Sequence, residues 1–406
     1  MRIAILTNEY PPNIYGGAGV HVEYLTRELA RVEGCHHSLD ILCFGDQQSD
    51  RGNVLVRGVH PDFVLPYRDP KHAKFQDTML RNLEMAGLLG DVDVVHCHTW
   101  YTHLAGCLIR QLTGARLVLT THSLEPHRPW KVEQLGTAYR ASSWVERTAY
   151  ENADGVIAVS ASMKEDVHNL YGVPREKIRV IHNGIDLHQY QPSPNPEVLA
   201  KYSIDPDKPF VLFVGRITRQ KGIIHLVEAI KWIREGVQVV LCAGAPDTPE
   251  IGREMADRVE QARLESRNPI LWIPEILSKE EIITLYTHAS LFACPSVYEP
   301  FGIINLEAMA CGTPVVASAV GGIIEVVVPG KTGLLVPIDA GGGADFEPKD
   351  PARFARDFAD AINTLLDDPG RLKEMGERSR ERVEHFFSWT SIARWTMDFY
   401  WDLVQA

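Results

Sequence analysis

The chain has 406 residues, 45% of them hydrophobic and 23% charged, the composition of an ordinary globular protein, which excludes bulk disorder. At about 100–200 residues per domain the length suits two domains. Lys and Arg total 41 against 53 Asp and Glu, a formal charge of −12, which argues against a surface built for nucleic acid but leaves room for a local basic pocket.

Short apolar runs come first at 2–6, then at 39–44, 92–98, 116–122, 155–160 and 178–183. A second set lies at 210–214, 237–243, 270–274, 290–295, 314–318 and 333–336. Runs of this length, rich in Val, Ile and Leu, predict parallel strands buried on both faces. Helix-period segments lie between them, such as Val22, Leu25, Leu29 and Val32, or Phe354, Phe358, Ala361, Ile362 and Leu365. Strand–helix alternation predicts doubly wound α/β sheets, six strands on each side of one interruption.

That interruption is 186–207, where Gln191-Pro192-Ser193-Pro194-Asn195-Pro196 prevents a regular helix or central strand. The expected division is a Rossmann-like domain over 1–185, a Pro-rich linker over 186–207 and a second Rossmann-like domain over 208–385, the two domains facing each other across a cleft. An aromatic-rich helix over 386–406 is a candidate to cross back to the first domain. Residues 340–351, with three consecutive glycines, read as a surface loop. No apolar run approaches the roughly 18 residues of a membrane span, and the N-terminus lacks a signal-peptide core. Of seven cysteines, Cys43, Cys97, Cys242 and Cys294 sit in strand-like runs as buried thiols. A cytoplasmic protein with no membrane partner is expected.

Ligands of open α/β sheets bind beyond the carboxyl ends of strands. After the first strand, Tyr15-Gly16-Gly17-Ala18-Gly19 precedes a helix expected from about Val20, and its glycines allow a ligand close to the backbone amides. It is neither a G-x-G-x-x-G fingerprint nor a Walker loop. After the first strand of the second half, Gly215-Arg216-Ile217-Thr218-Arg219-Gln220-Lys221-Gly222 places two cations where a diphosphate would sit, Arg216 as a fork and Lys221 as a point charge. Further on, Ser296-Val297-Tyr298-Glu299-Pro300-Phe301-Gly302-Ile303-Ile304-Asn305-Leu306-Glu307 leads from a strand into a helix. Its first amides, near Gly302, Ile303 and Ile304, can meet phosphate, and Glu299 and Glu307 can accept from two sets of sugar hydroxyls.

Glu-x7-Glu with Gly-Arg-x4-Lys-Gly upstream resembles the retaining GT-B glycosyltransferases of the glycogen-synthase and sucrose-synthase clan. Glu9-Tyr10-Pro11-Pro12 through Val22, His98-Thr99-Trp100-Tyr101-Thr102, His122-Ser123-Leu124-Glu125-Pro126 and Arg128-Pro129-Trp130-Lys131 narrow it to the short actinobacterial-type glycogen synthases of family 4. Those are ADP-glucose enzymes, some of which make α-maltose 1-phosphate. The resemblance covers essentially the whole chain. It implies a retaining α-1,4-glucosyltransferase, with ADP-glucose or UDP-glucose as donor and a glucan end or glucose 1-phosphate as acceptor. It also implies that Arg216 and Lys221 neutralise the leaving diphosphate, Glu299 holds hydroxyls of the transferred glucose, His122 sits by that glucose and the acceptor, and Glu307 holds the ribose. Gly16, Gly17, Phe301, Gly302, Ile303 and Ile304 would line the donor. On the acceptor side, Tyr101, Trp130, Lys131 and Arg128 are candidates, with Trp100 and Trp130 able to stack on a glucan.

Two departures stand out. Larger relatives carry Lys where Tyr15 precedes Gly16-Gly17, so phosphate contact shifts onto Arg216 and Lys221. Relatives commonly have Pro where Ile324 follows Gly321-Gly322-Ile323, which reads as a turn detail. No metal or cofactor is expected to be required: Asp91-Val92-Asp93 lies at the amino end of its strand, and His96, His98, His103 and His122 lack a completing ligand. No carboxylate is a clear nucleophile, although Glu125 lies near His122. The competing readings are a GT-B enzyme using another nucleotide sugar on a small-molecule or lipid acceptor, a periplasmic-type sugar-binding protein, and a Rossmann oxidoreductase. The last lacks a dinucleotide fingerprint.

Overall fold

A computed structural model describes residues 1–32, 36–340 and 346–406. Cys35 and the three-glycine part of the loop expected at 340–351 lie outside the described residues. The chain forms two units, Met1–Gly184 with Trp389–Ala406, and Ile185–Ser388. Each is a Rossmann-like α/β domain.

The first unit holds strands β1 (Arg2–Thr7), β2 (Ser38–Phe44), β3 (Gln48–Arg51), β4 (Val54–Val59), β5 (Val94–His98), β6 (Arg116–Thr121), β7 (Gly155–Ala158) and β8 (Ile178–Val180). Their order is β3-β4-β2-β1-β5-β6-β7-β8, all parallel except the β3–β4 pair. β1, β5, β6 and β7 are buried nearly throughout, which is why they read as continuous apolar runs. β3 and β4 were not expected. β3 is a polar, exposed edge strand without a hydrophobic signature, and the two join through a turn in which Gly52 has φ +67°.

The second unit holds β9 (Phe210–Arg216), β10 (Gln238–Gly244), β11 (Ile270–Ile273), β12 (Leu291–Cys294), β13 (Val315–Ser318) and β14 (Gly333–Val336), in the parallel order β11-β10-β9-β12-β13-β14. Phe354, Phe358, Ile362 and Leu365 of the helix Pro351–Leu366 are fully buried in its core, as their spacing predicts. Side chains of this size contribute about 1.5–3 kcal/mol each on burial.

Strand order reverses at β1/β5 in one sheet and at β9/β12 in the other. At such a reversal neighbouring connections leave in opposite directions and open a crevice beyond the carboxyl ends. The four loops there contain Tyr15–Gly19, His98–Thr102, Gly215–Gly222 and Ser296–Gly302, whereas His122 and then Arg128–Lys131 follow β6, and Gly321-Gly322 follows β13.

The 186–207 segment is part of the second unit rather than a separate linker. The proline run does exclude regular structure, but only up to Pro196. A short helix, Glu197–Lys201, starts behind it, with the Glu197 amide donating to Asn195 Oδ1 at 3.0 Å. The chain leaves the second unit through the helix Pro369–Phe386 and adds the helix Trp389–Gln405 to the first. That last helix buries Trp389, Ile392, Met397, Phe399 and Tyr400 in the core of the first unit, against the helix Gly17–Leu29.

Candidate active site

In the second unit the loops after β9 and β12 meet through an ion pair. Lys221 Nζ donates to Glu299 Oε2 at 2.6 Å, and Ser296 Oγ donates to the same oxygen at 3.3 Å. Burial works against the Lys221 charge, but the adjacent Glu299 carboxylate outweighs it and raises the pKa, so the ammonium is kept. Arg216, at the tip of β9 and half exposed, pairs with Asp247 at 2.9 Å. Three glycines make the approach possible. A Cβ on Gly222 (φ +58°) would lie 2.1 Å from Pro295 O, one on Gly321 (φ +49°) 2.0 Å from Glu299 O, and one on Gly322 2.5 Å from Phe301 Cα. The Gly322 amide also donates to Glu299 O at 3.0 Å. Gly321-Gly322 is therefore a brace behind the Glu299 loop.

Gly302 (φ +95°) starts the helix Ile303–Ala310. The Ile303 and Ile304 amides, in its first turn, have no i−4 carbonyl by construction. Asn305 is fully buried beside them, and neither atom of its side-chain amide has a partner among the described residues. Phe301 is buried behind this turn. Glu307, one turn on, accepts from Tyr190 Oη at 3.0 Å and Tyr286 Oη at 3.1 Å. Burial raises its pKa despite both phenols. Arg380 donates to Ala310 O at 2.6 Å and Tyr190 O at 2.8 Å, joining the end of this helix to the Tyr190 segment.

In the first unit the helix begins at Gly17, three residues before the expected start, so Gly17 and Gly19 lie in its first turn. The anion at its N-terminus is internal. Glu9 Oε2 accepts from the amides of Tyr15 at 3.0 Å and Gly16 at 2.8 Å. A Cβ on Gly19 would come within 2.7 Å of that oxygen. The Gly16 amide is thus already bonded to Glu9. Asn8 Nδ2 donates to Tyr15 Oη, and its Oδ1 accepts from Thr99 Oγ1, each at 2.9 Å. Thr99 sits at φ +67°, a strained conformation for a β-branched residue.

His122, partly exposed, follows β6. Its Nε2 hydrogen-bonds His98 Nδ1 at 3.0 Å. Burial holds both rings well below the usual histidine range and His21 down to about 4. His96 is consumed by Tyr400 at 2.6 Å and Thr120 at 2.7 Å, and Asp93 Oδ2 accepts from the Arg2 amide at the amino edge of β1. Lys131 and Trp130 are both buried. Lys131 Nζ donates to Glu125 Oε1 at 2.7 Å, and Ser142 Oγ donates to Oε2 at 2.8 Å. Lys131 is therefore a partner of Glu125, not an exposed acceptor contact, and Glu125 is tied up in turn. Behind them Glu146 accepts from the Glu125 amide and from Tyr171 Oη.

The first half of the chain matches the Glycosyltransferase Family 4 domain over residues 15–189, and the second matches Glycosyl transferases group 1 over 195–382. The chain is 47% identical over 405 residues to the alpha-maltose-1-phosphate synthase of Mycolicibacterium smegmatis, covering 98% of this chain and 99% of that one. The chain is a family 4 glycosyltransferase. The Mycobacterium tuberculosis alpha-maltose-1-phosphate synthase is 45% identical over the same span. The sucrose-phosphate synthase structure from Thermosynechococcus elongatus superposes with a TM-score of 0.76 at 28% identity, covering 99% of this chain and 98% of that one. The fold is GT-B. Among the described residues, no helix is long and apolar enough to cross a membrane.

In this glycosyltransferase the structure brings Lys221, Glu299 and the start of the 303–310 helix together at one switch point. Tyr101 lies in the turn after β5, stacked on Trp100 with ring centroids 4.3 Å apart. Sequence reasoning missed Asn305, Tyr190, Tyr286, Gly321 and Gly322. Asn305 alone had a signal, a polar residue inside an apolar helix start.

Proposed function

We propose that this glycosyltransferase moves glucose from ADP-glucose, with retention, onto O4 of glucose 1-phosphate. The observation that carries the reading is the 47% identity, over almost the whole chain, to an alpha-maltose-1-phosphate synthase. The geometry fits it. Lys221 is charged, and it gains a second anion when a diphosphate arrives. Arg216 adds a fork, and the Ile303 and Ile304 amides with the Asn305 side chain add neutral donors. Negative charge grows on the leaving diphosphate as the glycosidic bond breaks, so donors fixed there lower the barrier most. The acceptor hydroxyl then attacks from the face the diphosphate leaves, and the departing phosphate takes its proton. No protein nucleophile is used. Glu299 holds glucose hydroxyls with the oxygen that Lys221 leaves free, and Glu307, steadied by two tyrosines, holds the ribose.

On the acceptor side, Arg128 supports glucose 1-phosphate over a bare glucan end. Among the described residues its buried Nε meets no hydrogen-bond partner, while Nη1 donates to Ser123 Oγ at 3.3 Å. A phosphate would satisfy it. The test is incubation with ADP-glucose plus either glucose 1-phosphate or glycogen, with product analysis. A disaccharide 1-phosphate is expected. Elongated glycogen alone would overturn the acceptor, and turnover of UDP-glucose alone would overturn the donor.

A further inference from the structure

Three histidines that are 77 and 24 residues apart in sequence converge at the carboxyl edge of the first sheet. His21 comes from the helix Gly17–Leu29, His98 from the end of β5 and His122 from the turn after β6. One ring nitrogen of each lies within 4.8 Å of the other two. The ring centroids are 4.7 Å (His21–His122), 5.3 Å (His98–His122) and 5.4 Å (His21–His98) apart. Three imidazoles around one tetrahedral ion, with metal–nitrogen distances of about 2.0–2.1 Å, have their centroids about 5 Å apart. The rings already stand at that spacing.

The protonation pattern points the same way. Asn183 Oδ1 can only accept, so its 2.6 Å hydrogen bond fixes the proton of His21 on Nδ1. The lone pair is then on Nε2, which is buried and has no hydrogen-bond partner among the described residues. A ring held by its far nitrogen on a fixed acceptor, with the near nitrogen bare, is how metal-binding histidines are oriented. His98 Nε2 is likewise buried and unpartnered. It can take the proton that His98 now shares with His122, freeing both nitrogens of that 3.0 Å contact. An unmade hydrogen bond in such a place costs about 1–3 kcal/mol, and two are tolerated here.

We infer that His21, His98 and His122 form a site for one divalent transition-metal ion of the imidazole-preferring kind, such as Zn²⁺ or Co²⁺. His122 is the partly exposed member, so the ion enters on its side and keeps an open position there for water. Resting on the place beside the transferred glucose that the family resemblance implies for His122, a filled site ties up that ring and inhibits turnover.

The test adds Co²⁺ alone to chelator-stripped protein and follows visible ligand-field absorption. One equivalent with a tetrahedral-type spectrum, displaced by Zn²⁺, is expected. His21→Phe should abolish the band, and Asn183→Ala should weaken binding about 10–100-fold by releasing the His21 ring. Circular dichroism and thermal unfolding verify both folds, and if His21→Phe does not fold, Asn183→Ala carries the comparison. No band at one equivalent, or a band unchanged in the folded variants, overturns the site. Zn²⁺ should also lower turnover in the parent and not in His21→Phe. Binding without inhibition would leave the metal site standing and overturn the role of His122.

Discussion

The ends of β1 and β5 in the first unit hold the same topological position as the ends of β9 and β12 in the second, yet they carry opposite chemistry. The second unit presents charges in pairs, Lys221 with Glu299 and Arg216 with Asp247. The first presents neutral imidazoles, and its one carboxylate there, Glu9, is folded back onto its own helix. A cation kept beside a carboxylate stays ionised and ordered until an anion comes, because their attraction offsets the cost of desolvation. Neutral rings and amides suit sugar hydroxyls, which carry no charge to balance. The shared fold therefore supplies only the place, and the side chains decide which chemistry stands there.

The sharpest way to break this contrast is to remove the cation. Lys221→Ala should lower kcat/KM by roughly 10²–10³-fold or more, with about 1–3 kcal/mol of stability lost because Glu299 is left unpaired. Initial rates of nucleotide diphosphate release check it, and near-normal turnover would falsify the diphosphate assignment. Next comes the brace. Gly321→Ala drives a Cβ into Glu299 O and demands a left-handed alanine. Turnover should fall roughly 10–100-fold, with at least about 2 kcal/mol lost in a urea titration. If activity and midpoint both match the parent, the glycine pair does not set the Glu299 loop.

Tyr190→Phe is gentler. Glu307 keeps Tyr286 but loses one donor, so KM for the nucleotide sugar should rise about 3–10-fold with kcat within twofold. A fall in kcat instead would move Glu307 from ribose binding to the chemical step. The smallest effect lies in the first unit. Burial, then the nearby Glu125 carboxylate, pushes Glu146 up to about 8. The native state therefore holds this proton where the unfolded chain has released it, and stability drains away as pH rises from about 4.5 to about 8. Glu146→Gln keeps an acceptor for the Glu125 amide and Tyr171 but has no proton to lose. Its Tm advantage should be absent near pH 4.5, grow to a few degrees by pH 8 and then level off. A constant offset across that range would mean that Glu146 is ionised throughout.

The alternation of buried runs and helices made the two-sheet architecture legible, because parallel strands buried on both faces leave an unbroken apolar signature. The polar edge strand β3 left none. At the site, Arg216, Lys221, Glu299 and the helix start were legible because each follows a strand within a few residues, where backbone geometry alone delivers it to the edge. What stayed hidden depends on long-range packing. Tyr190 reaches Glu307 across 117 residues, and His21 meets Asn183 across 162. Lys131 looked like an acceptor contact because sequence shows a charge but not its burial, and the bracing role of Gly321-Gly322 left no signal because the atoms that exclude a Cβ belong to another loop.

The helix Trp389–Gln405 gives the molecule an order in time. Tyr400 meets His96 across 304 residues of chain, and Trp389 packs in the core begun by β1. When a ribosome has delivered residues 1–388, the second unit is present whole while the first still lacks a wall of its core. The half made first is thus finished last. Until then its buried histidines and the apolar face of the helix Gly17–Leu29 stand open to water, and to whatever chaperone attends the nascent chain.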